Sequence, residues 1–245
     1  MKPVVLETAR LRLDSPSTAD RARIVEYCSD PVFERFLTLP WPYRERDADV
    51  FLNRLVPDGW ESDREYTWAL RERLPASEHV SSGPGSEHPE TAVGPFLGVI
   101  GYRRTTSDIG YWLGAPHRGE GLMPEAMTAV ARWIFDLGVS EIAWECAAGN
   151  YASMSVARTL GFRYLGEKPA NVMYRDGTHP RSWHGVLRAD QLGVVQAGWP
   201  AETRGETARD DDAVGETALG ETTLGETPVG ETTLGETPVG NTSAR

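Results

Sequence analysis

Between residues 108 and 124 the chain reads Asp108-Ile109-Gly110-Tyr111-Trp112-Leu113-Gly114-Ala115-Pro116-His117-Arg118-Gly119-Glu120-Gly121-Leu122-Met123-Pro124. The first seven residues alternate as a strand does, and the residues after Pro124 carry apolar side chains at helical spacing. Two glycines, Gly119 and Gly121, therefore sit in a strand-to-helix turn. Glycine lets backbone N–H groups approach an anion closely and lets the chain take unusual dihedrals. The helix start adds unpaired N–H donors and the positive end of its dipole. Together they describe a diphosphate cradle, with Arg118 available for a charge-assisted bond to a phosphate oxygen. A plain turn needing glycine for its geometry is the competing reading. No Gly-Lys-Ser/Thr follows, so this is not a P-loop. The glycine spacing and the preceding hairpin also exclude the dinucleotide fingerprint.

Working outward, Phe96–Arg104 and Asp108–Gly114 read as a hairpin joined by Thr105-Thr106-Ser107. Upstream, Tyr66–Arg71 and Arg10–Asp14 alternate as strands. Ser17–Cys28 reads as a helix with Ser17 as N-cap and Asp20 at the third helical position. Asp30-Pro31 breaks it, and Arg46–Leu55 forms a second helix. Downstream, Pro124–Leu137 is a helix stopped by Gly138, with Ala126, Val130, Ile134 and Leu137 on one face. Glu141–Cys146 is a strand and Tyr151–Leu160 a helix stopped by Gly161. Phe162–Gly166 and Arg181–Arg188 close the body as strands. An antiparallel hairpin followed by a βαβ unit implies a mixed sheet with helices on its faces.

Two stretches depart from this pattern. Pro75–Pro95 is rich in Pro, Gly, Ser and Glu and reads as an overlong, flexible insertion loop. Its His79 and His88 read as solvated rather than metal-ligating. From Gly215 a five-residue unit repeats, Gly-Glu-Thr-x-Leu/Val. That period fits neither helix nor strand, and each unit offers too little apolar surface to offset ordering the chain. Residues 198–245 are expected to be a disordered tail, and residues 1–197 one domain. The tail holds ten acidic residues and three arginines, a net −7 of the chain's −11, leaving a mildly acidic body.

That charge argues against nucleic-acid partners and suits a cationic acceptor. The chain lacks an apolar run of membrane-spanning length and a secretory leader pattern at its start. With only Cys28 and Cys146, a reducing, cytoplasmic setting is expected.

About thirty residues beyond the cradle, Asn150 opens the next helix and is followed by Ser153, Leu160, Gly161 and Phe162. Asn150 is a natural N-cap; Ser153 lies one turn in. An Arg-x-x-Gly-x-Met loop, with Met123 where the family usually has Gly or Ala, paired with an Asn-x-x-Ser…Leu-Gly-Phe helix resembles the GNAT superfamily of N-acetyltransferases. Ile109–Leu113 with Arg118–Met123, the opening Glu7–Leu13, and Trp183-His184-Gly185 resemble its RimJ/RimL-like branch, which acetylates ribosomal-protein N-termini. The resemblance spans about Leu6 to Arg188.

It implies an α/β (α+β) fold: a mixed, mostly antiparallel sheet of about seven strands flanked by about four helices. It implies acetyl-CoA as co-substrate and no metal. Arg118, Gly119, Glu120, Gly121, Leu122 and Met123 match the loop that binds the coenzyme diphosphate. Tyr111, Trp112 and Leu113 match the strand that pairs with the pantetheine arm, with an oxyanion-binding N–H near Leu113. Asn150 matches the side chain that bonds that arm, and Ser153 the hydroxyl that meets the leaving thiolate. Relatives often place a Tyr where Ala157 stands, which leaves Ser153 as the side-chain acid. Asp108 matches a frequent Glu and is a base acting through water, or else a hairpin-end carboxylate. The implied reaction is acetyl transfer to a primary amine by direct attack in a ternary complex. The acceptor is a protein or peptide N-terminus, with a small aminoglycoside- or polyamine-like amine as the alternative. A non-catalytic acyl-CoA sensor is the other reading. The chain is expected to act as a monomer or homodimer. Trp41, Tyr43, Trp60 and Trp68 read as either acceptor pocket or core, and Cys146 and His184 as structural.

Overall fold

A computed structural model describes residues 1–73 and 94–201. The pentapeptide repeats, and the insertion loop except Gly94 and Pro95, lie outside the described residues. Among the described residues no helix is long and apolar enough to cross a membrane.

Eight strands form one sheet: β1 (Leu6–Glu7), β2 (Leu11–Asp14), β3 (Glu65–Glu72), β4 (Phe96–Arg103), β5 (Asp108–Leu113), β6 (Ile142–Ala147), β7 (Arg163–Pro169) and β8 (Arg181–Leu187). Their spatial order is β1-β2-β3-β4-β5-β6-β8-β7. Every neighbouring pair is antiparallel except β5–β6. The helices are α1 (Arg21–Cys28), α2 (Pro31–Phe36), α3 (Glu45–Val50), α4 (Val56–Glu61), α5 (Leu122–Asp136) and α6 (Tyr151–Leu160).

The strand β1 was not legible because two residues carry no periodicity. Asp30-Pro31 does more than end α1. Asp30 caps α2, its Oδ1 accepting the Val32 N–H at 3.0 Å, and Pro31 takes the first-turn position where a missing N–H is harmless. The second expected helix also runs on, past Pro57. A π-helical turn, Phe51–Leu55, joins α3 to α4, the Val56 N–H reaching back to the Phe51 carbonyl. That wider turn accommodates the proline. Similarly, α5 begins at Leu122, with Pro124 third in the helix rather than first.

The sheet carries a core on each face. On one side α5 and α6 pack against Trp68, Ile100, Ile109, Trp144 and Phe162. Met127, Val130 and Ile134 of α5 are fully buried there, each contributing roughly 1.5–3 kcal/mol. On the other side α1–α3 cover Ala69, Phe96 and Val99, with Trp112 packed against them. Alternation along β5 thus sends Ile109, Tyr111 and Leu113 one way and Trp112 the other. Trp60, Trp68 and Tyr43 are buried core. The body also runs past residue 197: Trp199 is 5% exposed and donates its indole N–H to the Phe162 carbonyl at 3.0 Å.

Candidate active site

The parallel pair β5–β6 is joined at one register position, Asp108 opposite Ala143, where the Ala143 N–H meets the Ser107 carbonyl at 2.7 Å. Beyond it, Ile109–Leu113 and Trp144–Ala147 share no ladder pair. A gap therefore opens inside the sheet, lined by backbone donors and acceptors. Buried backbone groups of this kind take a partner, and an extended polar ligand arm fits the role.

At the mouth of the gap stands the glycine turn. Gly119 and Gly121 have φ of +78° and +74°, where a side chain is strained. Gly121 is the N-cap of α5. Among the described residues, the N–H groups of Gly119, Glu120, Gly121, Leu122 and Met123 make no intramolecular hydrogen bond. Five consecutive free donors at the positive end of a fifteen-residue helix form an anion cradle. Arg118 is placed differently from the sequence reading. Its Nε donates to the Leu113 carbonyl at 3.0 Å. Its Nη1 pairs with Asp30 at 2.8 Å, and the guanidinium lies over the Phe33 ring. It ties the cradle to α2. The cation beside the cradle is Arg10, whose Nη1 donates to the Glu120 carbonyl at 2.9 Å and whose Nε pairs with Glu125 at 2.6 Å. Sequence reading missed Arg10, because 110 residues separate it from Glu120.

At the inner end, Asn150 caps α6, its Oδ1 accepting the Ser153 N–H at 3.1 Å. Its Nδ2 amide makes no bond among the described residues. Ser153 Oγ lies 2.9 Å from the Tyr111 hydroxyl and 3.1 Å from Trp144 Nε1. The same indole N–H reaches the Tyr111 hydroxyl at 3.2 Å, which can also donate to the Ser153 carbonyl at 3.1 Å. Burial raises the Tyr111 phenol far above its ordinary range, against the Ser153 and Trp144 hydrogen bonds. It stays protonated, as a donor. When Tyr111 donates to Ser153 Oγ, the serine proton is free to point into the gap. The side chains of Tyr111 and Trp144 thus orient Ser153, which the sequence did not reveal.

Cys146, beside this cluster, is 8% exposed, and burial pushes its thiol up to about 12; burial does the same to Cys28. Only a thiolate is nucleophilic. Native protein at pH 8 is expected to take up no iodoacetamide at either cysteine, and unfolded protein to take up two equivalents, read by intact mass.

On the opposite face of the sheet, Asp108 is held by Arg103, whose Nε donates at 3.0 Å, and by Thr106. It stands at the closed end of the gap, three residues and one face away from Tyr111. Glu145 lies further along, on the free edge of β6. Both its oxygens are 3.1 Å from the Asn171 N–H. His184 Nδ1 is 3.7 Å from Glu145 Oε2, and His184 Nε2 is buried without a partner. Leaving such a nitrogen unsatisfied costs about 1–3 kcal/mol. The β7–β8 loop that supplies Asn171 is strapped down by Arg175, which donates to the carbonyls of Glu34, Leu37 and Leu39. This face of the sheet carries the polar side chains of Asp108, Glu145 and His184.

The structure therefore gathers Tyr111, Ser153 and Asn150 at one end of the gap and Gly119–Met123 at its mouth, with Asp108 apart from both. The profile of the acetyltransferase (GNAT) domain family matches residues 10–163. No curated protein matches the sequence. Among solved structures, a candidate ribosomal-protein-serine acetyltransferase from Vibrio cholerae superposes with a TM-score of 0.59 at 18% identity, covering 77% of this chain and 99% of that one. RimL, a ribosomal L7/L12 α-N-protein acetyltransferase in complex with coenzyme A, gives 0.59 at 14% identity over 77% and 99%. RimJ of Mycobacterium smegmatis, in complex with CoA-disulfide, gives 0.59 at 14% over 79% and 90%. At these identities the neighbours show a shared fold. The family profile runs from just before β2 to the start of β7, more than half of the 245 residues, and on that ground this chain belongs to the GNAT acetyltransferases and uses acetyl-CoA as its acyl donor.

Proposed function

We propose that the chain acetylates the terminal amine of a protein or peptide, with the coenzyme diphosphate on the Gly119–Met123 N–H groups and its pantetheine arm in the β5–β6 gap. The observation that carries this reading is the gap itself, open along Tyr111–Leu113 with five free amide donors at its mouth. Asn150 Nδ2 bonds the arm. Acetyl-CoA supplies an activated acyl carbon. The chain's residues bring a neutral amine to it from the face of the sheet opposite Ser153 and stabilise the sulfur that leaves. Ser153, held by Trp144 and Tyr111, donates its hydroxyl proton toward that sulfur. Thiolates are fairly stable anions (pKa ~8.5), so this donor contributes modestly, and Ser153→Ala is expected to lower kcat about tenfold. Asp108 serves through its ion pair with Arg103, or as a water-borne base. Solved neighbours named as ribosomal-protein acetyltransferases support a flexible chain end as the acceptor over a bulky ring system.

Mass spectrometry of products after incubation with isotopically labelled acetyl-CoA and a mixed library of peptides and small amines tests the reading. Label on peptide α-amines supports it. Label confined to aminoglycosides or polyamines replaces the acceptor class. Tight coenzyme binding with no labelled product favours a sensor.

A further inference from the structure

We propose that Arg10, anchored by Glu125, is a positioning residue of the coenzyme site: it latches the Glu120–Gly121 peptide so that the Gly121 N–H faces the diphosphate. The inference rests on the acetyltransferase reading above. The peptide is trans, and in a planar trans peptide the C=O and N–H point in opposite directions. Arg10 Nη1 donates to the Glu120 carbonyl at 2.9 Å. The N–H of that same peptide belongs to Gly121 and makes no hydrogen bond among the described residues. Arg10 therefore stands behind the peptide, and the free Gly121 N–H points away from it, into the cradle.

This peptide needs a latch. Gly121 sits at φ +74° beside Gly119 at φ +78°. Glycine takes either sign of φ about as readily, so the Glu120–Gly121 peptide can turn over. Its carbonyl oxygen, a partial negative charge, then faces the diphosphate in place of a donor. Among the described residues Arg10 is the sole donor to that carbonyl. Arg118, the cation of the loop itself, is engaged by the Leu113 carbonyl and Asp30.

Arg10 is itself fixed. Its Nε donates to Glu125 Oε2 at 2.6 Å, and its backbone N–H to Oε1 at 2.9 Å. The Thr8 hydroxyl donates to Oε1 at 2.5 Å. Against the upward push of burial, the bonds from Thr8 and Arg10 hold the Glu125 carboxyl below its ordinary range, so the anchor stays charged at neutral pH. A guanidinium carries its donors in a rigid planar fork. Anchoring Nε on Glu125 thus aims Nη1 at the Glu120 carbonyl. The turn between β1 and β2 in this way sets the backbone of a loop 110 residues away. Because the guanidinium lies on the carbonyl side, it acts on the coenzyme through the peptide.

Arg10→Ala and Glu125→Gln test the latch in the full-length protein, with acetyl-CoA and with S-acetylpantetheine, a donor that keeps the thioester and lacks the diphosphate. For Arg10→Ala, calorimetric coenzyme A affinity is expected to fall about tenfold to a hundredfold, the size expected for one amide bond to a charged oxygen. The loss appears in KM for acetyl-CoA, while kcat at saturation stays within about twofold. With S-acetylpantetheine, kcat/KM also stays within about twofold of wild type. The loss persists at about 1 M salt, where charges more than ~3 Å apart are screened. Glu125→Gln, which removes the anchoring charge, shows the same pattern in weaker form. Coenzyme affinity within about threefold of wild type in Arg10→Ala overturns the proposal. So does an equal loss on both donors in both variants, which marks a merely structural role. A loss that vanishes at high salt makes Arg10 a charge acting directly on the phosphates and also overturns the latch. Wild-type protein that binds no coenzyme A and releases no thiol overturns the underlying reading instead.

Discussion

Gly121→Val is expected to weaken coenzyme A binding about 10³-fold without unfolding the protein. Gly121 sits at φ +74° as the N-cap of α5, and a β-branched residue is a genuine outlier there. Valine must either hold the left-handed geometry at about 1–2 kcal/mol or rotate out of it. Rotation swings the Gly121 and Leu122 N–H groups away from the diphosphate position. Hydrogen bonds to charged groups contribute about 1.5–3 kcal/mol each, so losing two removes roughly 4 kcal/mol, or about three decades of affinity. The turn is exposed, so the melting temperature is expected to move by only a few degrees. Calorimetry with coenzyme A reads the effect. Affinity unchanged within threefold would remove the cradle from the coenzyme site. Gly119→Ala is the milder companion: its Cβ meets nothing within 4 Å, so strain alone acts.

Arg71→Met is expected to destabilise the fold by about 3–5 kcal/mol while leaving coenzyme affinity intact in the folded fraction. Arg71 is buried on β3, its side chain 7% exposed. It donates to both oxygens of Asp20 at 2.7 Å and to Asp14 at 2.7 Å. The Asp20 side chain is 5% exposed, and Asp20 also accepts the Ser17 N–H at 2.8 Å. Methionine fills much of the volume but strands two carboxylates beside each other, and removing one partner of a buried pair leaves uncompensated charge. A melting temperature lower by roughly 10–15 °C follows for a domain of this size. The combined variant Arg71→Met, Asp14→Asn, Asp20→Asn recovers most of the loss. Thermal and urea unfolding measure both. A loss below about 1 kcal/mol in the single variant would show that water reaches the network.

How far the sequence carried the reading depends on the range of the interaction. Periodicity and glycine stops located α5, α6 and the β4–β5 hairpin within two residues, because those signals are local. The family resemblance pointed to Ser153, Asn150 and the 118–123 loop for the same reason: each lies in a short contiguous motif. The departures come from residues whose meaning is set by distant partners. Asp20, readable as a helix-start residue three after Ser17, is also half of a buried ion pair with a residue 51 positions away. Arg118, read as a phosphate ligand from its place in the motif, is held by Asp30 in another segment.

Thus the alternating and helical spacings, together with the loop between them, determined by themselves that this chain builds a mixed sheet with a backbone anion site in kind at a helix start, and the family resemblance added the expectation of a coenzyme. Backbone geometry follows nearest neighbours, and that site is made of backbone. Only the tertiary structure decided which side chains meet one another around it. It set Tyr111 and Trp144 around Ser153, placed Arg10 beside the cradle, and buried His184 with one free nitrogen behind Glu145. Those partnerships arise from sheet register and helix packing, which join residues that no sequence spacing connects.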